Sequence, residues 1–253
     1  MKRVLITAGA AGLGRAMAEG FLARGDRVAV CDIEPRAVRD FRVAHPQALA
    51  EVVDVTDETA MTGFLSRVEE MFGGVDVVCA NAGTGGQAGR IETLDLDAWR
   101  ACIDVNLTGA FLTCRWAARV MRAQGDGLIV LTSSTAGLHG YPLRAPYASA
   151  KWAIVGLTKT LAMELGPTGV RVNAICPGAV EGDRMDRVVA MESAASGLGP
   201  DEVRALYVRG VSLRSWVTAE EVAETVLWLS SPAARKISGQ ILAIDGHTET
   251  LAP

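Results

Sequence analysis

Arg3–Gly14, RVLITAGAAGLG, reads as a strand, a glycine-rich turn and the start of a helix. Val4, Leu5 and Ile6 form an unbroken apolar run, the pattern of a strand buried on both faces of a parallel sheet. Gly9, Gly12 and Gly14 remove side chains where the chain must turn, and Leu13 opens a helix expected over about 13–24. Strand, bare turn and helix start are the setting in which backbone N–H groups reach a pyrophosphate at a helix N-terminus. A Cβ would obstruct that approach. A literal GxGxxG is absent, and a tight turn with no ligand has the same composition, so the rest of the chain must decide.

Outward from this stretch, strand and helix patterns alternate. Arg27–Cys31 is a second apolar run ending at Asp32, twenty residues beyond Gly12, where dinucleotide folds place the carboxylate that binds the adenosine ribose. The same Asp32 is also placed to cap a helix from Pro35 to about Phe41. A strand over Leu49–Val53 precedes Asp54 and Val55, and Asp57 caps a helix to about Phe72. A strand over Val75–Cys79 ends at Asn81, Ala82 and Gly83. A helix from about Leu96 passes through Asn106, an amide that needs a partner if buried, and Gly109 marks close packing or a bend. Strands over Leu128–Leu131, Val170–Ile175 and Gln240–Ile244 follow, and Thr218 with Glu221 makes a capping box for a helix over Ala219–Leu229. Residues 181–216 break the rhythm; an excursion of that length in a compact domain reads as a substrate lid. The expectation is one α/β domain with a doubly wound, mostly parallel sheet and helices on both faces.

In such sheets ligands bind beyond the carboxyl ends of the strands. The glycine loop, Asp32, Asp54, Asn81, Ser134 and Pro177-Gly178 all follow strand ends. Thr132–Lys151, TSSTAGLHGYPLRAPYASAK, adds the chemistry. Tyr147 and Lys151 stand four residues apart on a helix and share a face. A free phenol titrates near pH ~10, so a Tyr acting as acid or base at neutral pH needs help of about 4 kcal/mol, part of which a nearby ammonium supplies. Ser134 is placed to hydrogen-bond the same substrate oxygen. A Tyr–Lys pair of this spacing is usually only a solvated helix face; the convergence of the other strand-end groups is what raises it.

Composition narrows the classes. With 253 residues and 49% of them hydrophobic, the chain can bury one large core. A net charge of −4 without a basic stripe argues against a nucleic-acid groove. The five Cys form no metal spacing, so no metal is expected and reduced, packed thiols in a cytoplasmic protein are. The apolar run near the start ends before Gly9, too short for a secretory core, and no segment approaches a membrane span.

Taken jointly, TAGAAGLG, Asp32, Asp54-Val55, Asn81-Ala82-Gly83, Asn106, Ser134, Tyr147–Lys151, Pro177-Gly178 and Asp245-Gly246 closely resemble the short-chain dehydrogenase/reductase superfamily over essentially the full length. The resemblance implies a seven-stranded Rossmann-like sheet, a nicotinamide cofactor and reversible hydride transfer with a secondary alcohol or ketone. It implies Tyr147 as general acid/base, Ser134 as the group that polarises the substrate oxygen, and Lys151 as the ligand of the nicotinamide ribose that lowers the tyrosine's pKa. Asn106 would hold a water in a proton relay. Gly9, Gly12, Leu13 and Gly14 would carry the pyrophosphate, Asp32 and Ile33 the adenosine, Asp54 and Val55 the adenine, Asn81–Gly83 the cofactor wall, and the Val180 backbone the carboxamide. It also implies a homotetramer or homodimer. Asp32, with Ala11 where a basic residue would recognise a 2′-phosphate, favours NAD over NADP.

Three positions depart from the family pattern: Ala8 stands for the first loop glycine, Gly182 for a frequent Thr, and His247 for a second glycine after Gly246. His247 is expected at the surface. The pocket is expected between 85–91, 139–144 and the excursion, with Arg144, Arg184 and Arg187 as candidate contacts for a carboxylate or phosphate, His139 as a pocket or turn residue, and a polar hydroxylated compound such as a sugar acid or hydroxy acid as a candidate substrate. The alternatives are an NADPH-dependent reductase of 3-oxoacyl groups on a carrier protein, and a non-catalytic dinucleotide sensor on the same fold.

Overall fold

The computed structural model describes residues 1–251, the side chains at positions 183, 184, 191, 192, 195 and 196 excepted. Its sheet has the order β3-β2-β1-β4-β5-β6-β7, with every neighbouring pair parallel. The strands are β1 (Arg3–Thr7), β2 (Arg27–Asp32), β3 (Leu49–Val52), β4 (Val77–Ala80), β5 (Gly127–Thr132), β6 (Val170–Pro177) and β7 (Ile241–Ile244). The chain winds outward from β1 to β3, then returns to β4 on the other side of β1. The order therefore reverses between β1 and β4, the switch point at which sheets of this kind take their ligands.

Side-chain alternation along each strand divides the core into two layers. Leu5 and Val78 point into the layer built from α3 (Glu58–Phe72), α5 (Gly109–Gln124) and α6 (Ala145–Leu165). Val4, Ile6, Val77 and Cys79 point into the layer built from α1 (Gly12–Ala23), α2 (Pro35–Ala44) and α9 (Ala219–Leu229). Phe64 anchors the first layer and Phe21 and Phe41 the second, all fully buried, each contributing about 1.5–3 kcal/mol by leaving water.

Element boundaries differ from the sequence expectation where side chains replace ladder bonds. Val75 lies outside β4, because Gln124 Oε1 accepts its N–H and Gln124 Nε2 donates to its carbonyl. The cap of α2 is Glu34, whose carboxylate accepts from Arg36 N at 3.2 Å, and not Asp32. The helix through Asn106 is α4 (Leu96–Ile103) joined to α5 by a π-helical turn, Asp104–Thr108. Gly109 is needed there for close packing, since a Cβ would meet Val55 Cγ2 at 2.7 Å. Thr218 and Glu221 form the expected reciprocal cap of α9.

The excursion holds α7 (Asp183–Ser196) and α8 (Pro200–Arg209). Its two ends are stapled side by side: Val217 N donates to Ala179 O at 2.9 Å and Glu181 N donates to Val217 O at 2.8 Å. Its return is bound to the tail after β7, where Ser212 N meets His247 O and Glu249 N meets Gly210 O. Tyr207 and Arg204 both pack on Trp216, and Arg204 pairs with Asp186.

Candidate active site

The glycine loop keeps its shape despite Ala8. That residue adopts φ 49°, the left-handed region glycine prefers, at a strain of roughly 1–2 kcal/mol. The displaced Gly9 serves a different need: a Cβ there would meet Val30 Cβ at 2.7 Å. At Gly14 a Cβ would stand 2.0 Å from Ala8 O, so only glycine lets α1 start this close to the loop. Helix α1 has no side-chain cap and no acid in its first turn, and the N–H groups of Gly12, Leu13 and Gly14 meet no acceptor among the described residues. A Cβ on Gly12 would face open space. Unpaired donors at an uncovered positive helix end fit an anion such as a pyrophosphate.

Thr7, which the sequence reading passed over, ties the loop to β4. Its Oγ1 accepts from Asn81 N and Ala82 N at 3.0 and 3.1 Å. Asn81 Nδ2 donates to Thr7 O and Ala8 O, and its Oδ1 accepts from Thr132 Oγ1. Asn81 is therefore a brace across the ends of β1, β4 and β5. A threonine at the end of an apolar strand facing an Asn-Ala-Gly was the available signal. Asp32 is 8% exposed; its Oδ2 accepts from Ala10 N and its Oδ1 from Glu34 N, both at 3.2 Å. Ile33 beside it is 64% exposed, an apolar side chain at a strand end with nothing laid over it. Asp54 Oδ1 accepts from Thr56 N and Oγ1, which fixes the turn carrying the buried Val55.

Tyr147, Lys151, Asn106 and Gly83 come together beside the ends of β4 and β5, and Ser134 directly follows β5. Lys151 is 3% exposed and donates from Nζ to Thr132 O at 2.9 Å, with Nζ 5.6 Å from the Tyr147 ring centroid. Ser133 Oγ donates to Lys151 O at 2.8 Å, which seats α6 against the end of β5. Ser134 Oγ accepts from Ala136 N at 3.2 Å, which turns the serine out of the strand. Asn106 is 1% exposed; the π-helical turn aims its Nδ2 at Thr84 O and Cys102 O, both at 2.9 Å. Its Oδ1 accepts no hydrogen bond among the described residues. A Cβ on Gly83 would stand 2.8 Å from that oxygen and 3.2 Å from Lys151 Nζ, so both atoms border the small space a glycine leaves. An orphan buried acceptor costs about 1–3 kcal/mol, a state proteins keep where a water or ligand completes it.

At the end of β6, the bridge uses the carbonyl of Ala179 and the N–H of Glu181, which turns the backbone groups of Val180 the other way. Neither has a partner among the described residues. Gly182, the N-cap of α7, has φ 133°, a conformation that side-chain-bearing residues rarely adopt. The two remaining pocket loops are joined by Gly89 N donating to Leu143 O at 2.9 Å. His139 is half-buried, and its carbonyl accepts from Trp152 Nε1. Arg144 precedes α6 as its N-cap, Arg187 is exposed on α7, and the side chain of Arg184 lies outside those described. His247 is at the surface as expected, with φ 68°; its Nδ1 lies 2.7 Å from Ser212 Oγ, which donates to Glu249 Oε1. All five cysteines are buried and free, and burial pushes the thiols of Cys31, Cys79 and Cys114 up to about 12. Among the described residues no cluster of His, Cys, Asp and Glu is built for a metal, and no helix is long and apolar enough to cross a membrane.

Known proteins carry the same design. A family model described as enoyl-(acyl carrier protein) reductase matches residues 8–247. The 2-(R)-hydroxypropyl-CoM dehydrogenase of Xanthobacter autotrophicus is 34% identical over 97% of this chain and 98% of its own. The cis-4-hydroxycyclohexanecarboxylate dehydrogenase of Sinomonas cyclohexanicum is 36% identical over 97% of this chain and 96% of its own. Among solved structures, an NAD+-bound xylitol dehydrogenase superposes with a TM-score of 0.90 at 30% identity, covering 97% of this chain and 98% of that one. With the fold, the loop and the Ser–Tyr–Lys grouping in hand, these matches make the chain a member of the short-chain dehydrogenase/reductase superfamily, an oxidoreductase of alcohols and ketones.

Proposed function

We propose that the protein oxidises a secondary alcohol, reversibly, with NAD as the preferred cofactor and Tyr147 as general acid/base. The observation that carries this reading is the convergence of the buried Lys151, the Tyr147 ring 5.6 Å from its ammonium, and the orphan Asn106 Oδ1 at the switch point of the sheet. The N–H groups opening α1 hold the pyrophosphate, Asp32 the adenosine ribose, Ile33 and Val55 the adenine, Asn81–Gly83 the cofactor wall, and the Val180 backbone the carboxamide. When bound, NAD supplies the hydride acceptor. Ser134 Oγ holds the substrate oxygen and Tyr147 takes its proton. Lys151 stabilises the charge that passes through the phenol and holds the nicotinamide ribose. Asn106 Oδ1 fixes a water that carries the proton onward. The buried, partly engaged carboxylate of Asp32, with no basic residue on the loop beside it, supports NAD over NADP.

The segment 181–216 is the lid over the substrate. Phe111, Trp152 and Met163, exposed on α5 and α6, together with the open edge of β7, support self-association as a dimer or tetramer. Five buried free thiols suit a reducing, cytoplasmic setting. The relatives named for hydroxycyclohexanecarboxylates and levodione make ring-borne secondary alcohols, beginning with 4-hydroxycyclohexanecarboxylate, the first substrates to try.

Tyr147→Phe tests the base. NADH binding, followed by energy transfer from tryptophan, is expected within about threefold of wild type, while turnover read at about 340 nm is abolished. Turnover within about tenfold of wild type overturns the assignment.

A further inference from the structure

We infer that Arg144 binds an anionic group of the substrate, a carboxylate, and makes the enzyme selective for hydroxy acids over neutral alcohols; this rests on the dehydrogenase reading above. Six arginines with described side chains are half-buried: Arg3, Arg15, Arg27, Arg144, Arg171 and Arg204. Five of them spend the guanidinium on the protein itself. Arg3 pairs with Asp76, Arg15 with Glu19 and Arg204 with Asp186, while Arg27 donates to Met71 O and Arg171 to Leu229 O. Arg144 is the sixth, and among the described residues its guanidinium has neither a hydrogen bond nor an ion pair. A half-buried arginine whose fork the protein leaves unused is a ready partner for a carboxylate.

Its position says which anion. Arg144 is the N-cap of α6, three residues before Tyr147, at the end of the helix that carries the phenol. Helix α6 has no acid in its first turn and is entered through a cation, against the sign of its own dipole; α1, α2 and α5 also lack a first-turn acid. The backbone is also held in an unfavourable state here: Leu143, 55% exposed, takes φ 62°, and Gly89 N binds its carbonyl. A strained, exposed leucine gains nothing by burial, so the strain serves the placement of its neighbour. The planar fork of an arginine matches a carboxylate. We therefore take as the probe a substrate whose carboxylate stands a ring's width from its carbinol.

The test compares 4-hydroxycyclohexanecarboxylate with its methyl ester as NAD-dependent substrates. Wild type is expected to favour the acid by about tenfold or more in kcat/KM, mainly through KM. Arg144→Met is expected to bring the two within about twofold while leaving the ester's kcat within about threefold. Added guanidinium ion is expected to restore part of the acid's advantage to Arg144→Ala, a rescue that a merely structural role would not give. Equal use of acid and ester by wild type, or an equal loss on both in Arg144→Met, overturns the inference and leaves the dehydrogenase reading standing. Wild type that turns over neither compound nor any other ring alcohol overturns both.

Discussion

Gly83→Ala is the sharpest probe of the proton path. Its Cβ would stand 2.8 Å from Asn106 Oδ1 and 3.2 Å from Lys151 Nζ, against an ordinary contact of about 3.5–4.0 Å. Neither neighbour can withdraw freely. Asn106 is fixed by Nδ2 bonds to Thr84 O and Cys102 O, each contributing about 1 kcal/mol net. Lys151 is held by its bond to Thr132 O and by Ser133 on its carbonyl. Overpacking of this kind costs about 2 kcal/mol, hence roughly 4–8 °C in Tm for a chain of this length. The methyl group would also fill the space in which the proposed relay places a water, between Oδ1 and Nζ. Loss of an assisted proton transfer lowers kcat by about a hundredfold or more. Calorimetry and stopped-flow at saturating NAD and substrate measure both. A kcat within about threefold of wild type, at a Tm lowered as expected, would show that no proton passes between Asn106 and Lys151.

Asp32→Ser is expected to weaken NADH binding by about tenfold and strengthen NADPH, read by paired fluorescence titrations; unchanged preference would mean the ribose is held elsewhere. The five buried thiols are expected to resist iodoacetamide at pH 8 in the folded protein and to react fully in guanidinium chloride, counted by mass spectrometry. Burial works against the charge of Asp76, but the Arg3 side chain and backbone N–H outweigh it and hold the carboxyl below its ordinary range. A depressed carboxyl gives stability that is present above its unfolded pKa and lost as pH falls through the folded one. The stability gap between wild type and Asp76→Asn, measured by denaturant titration, is therefore expected at pH 7 and to shrink below about pH 4.

What could be read without coordinates was set by local chemistry. The apolar runs of Val4–Ile6 and Leu128–Leu131 have one physical use, so the sheet followed from them. Asp57 and Thr218 announced their helices because a capping oxygen acts within three residues. Asn106 was legible as a buried amide, but the π-helical turn that aims it was not, since nothing in DVNLT distinguishes one helical pitch from another. Thr7 was missed because its partners lie more than seventy residues away. The cap of α2 was assigned to Asp32 because Asp at a strand end and Glu two residues on offer the same oxygen; the fold turned Asp32 towards the glycine loop and left Glu34 to the helix. Ala8 in a glycine's place raised a question about the turn that only its φ of 49° answers.

The staple at Ala179, Glu181 and Val217 has a bearing on ancestry and design. Because both ends of the intervening segment meet at adjacent backbone, its length and composition can change without displacing β6 or the helix that follows. The groups that would move the proton and bind the nucleotide sit outside it, on strand ends and α6. Such a chain can take on a different segment of some three dozen consecutive residues between fixed ends, so one scaffold can be varied there while the sheet and α6 stay as they are.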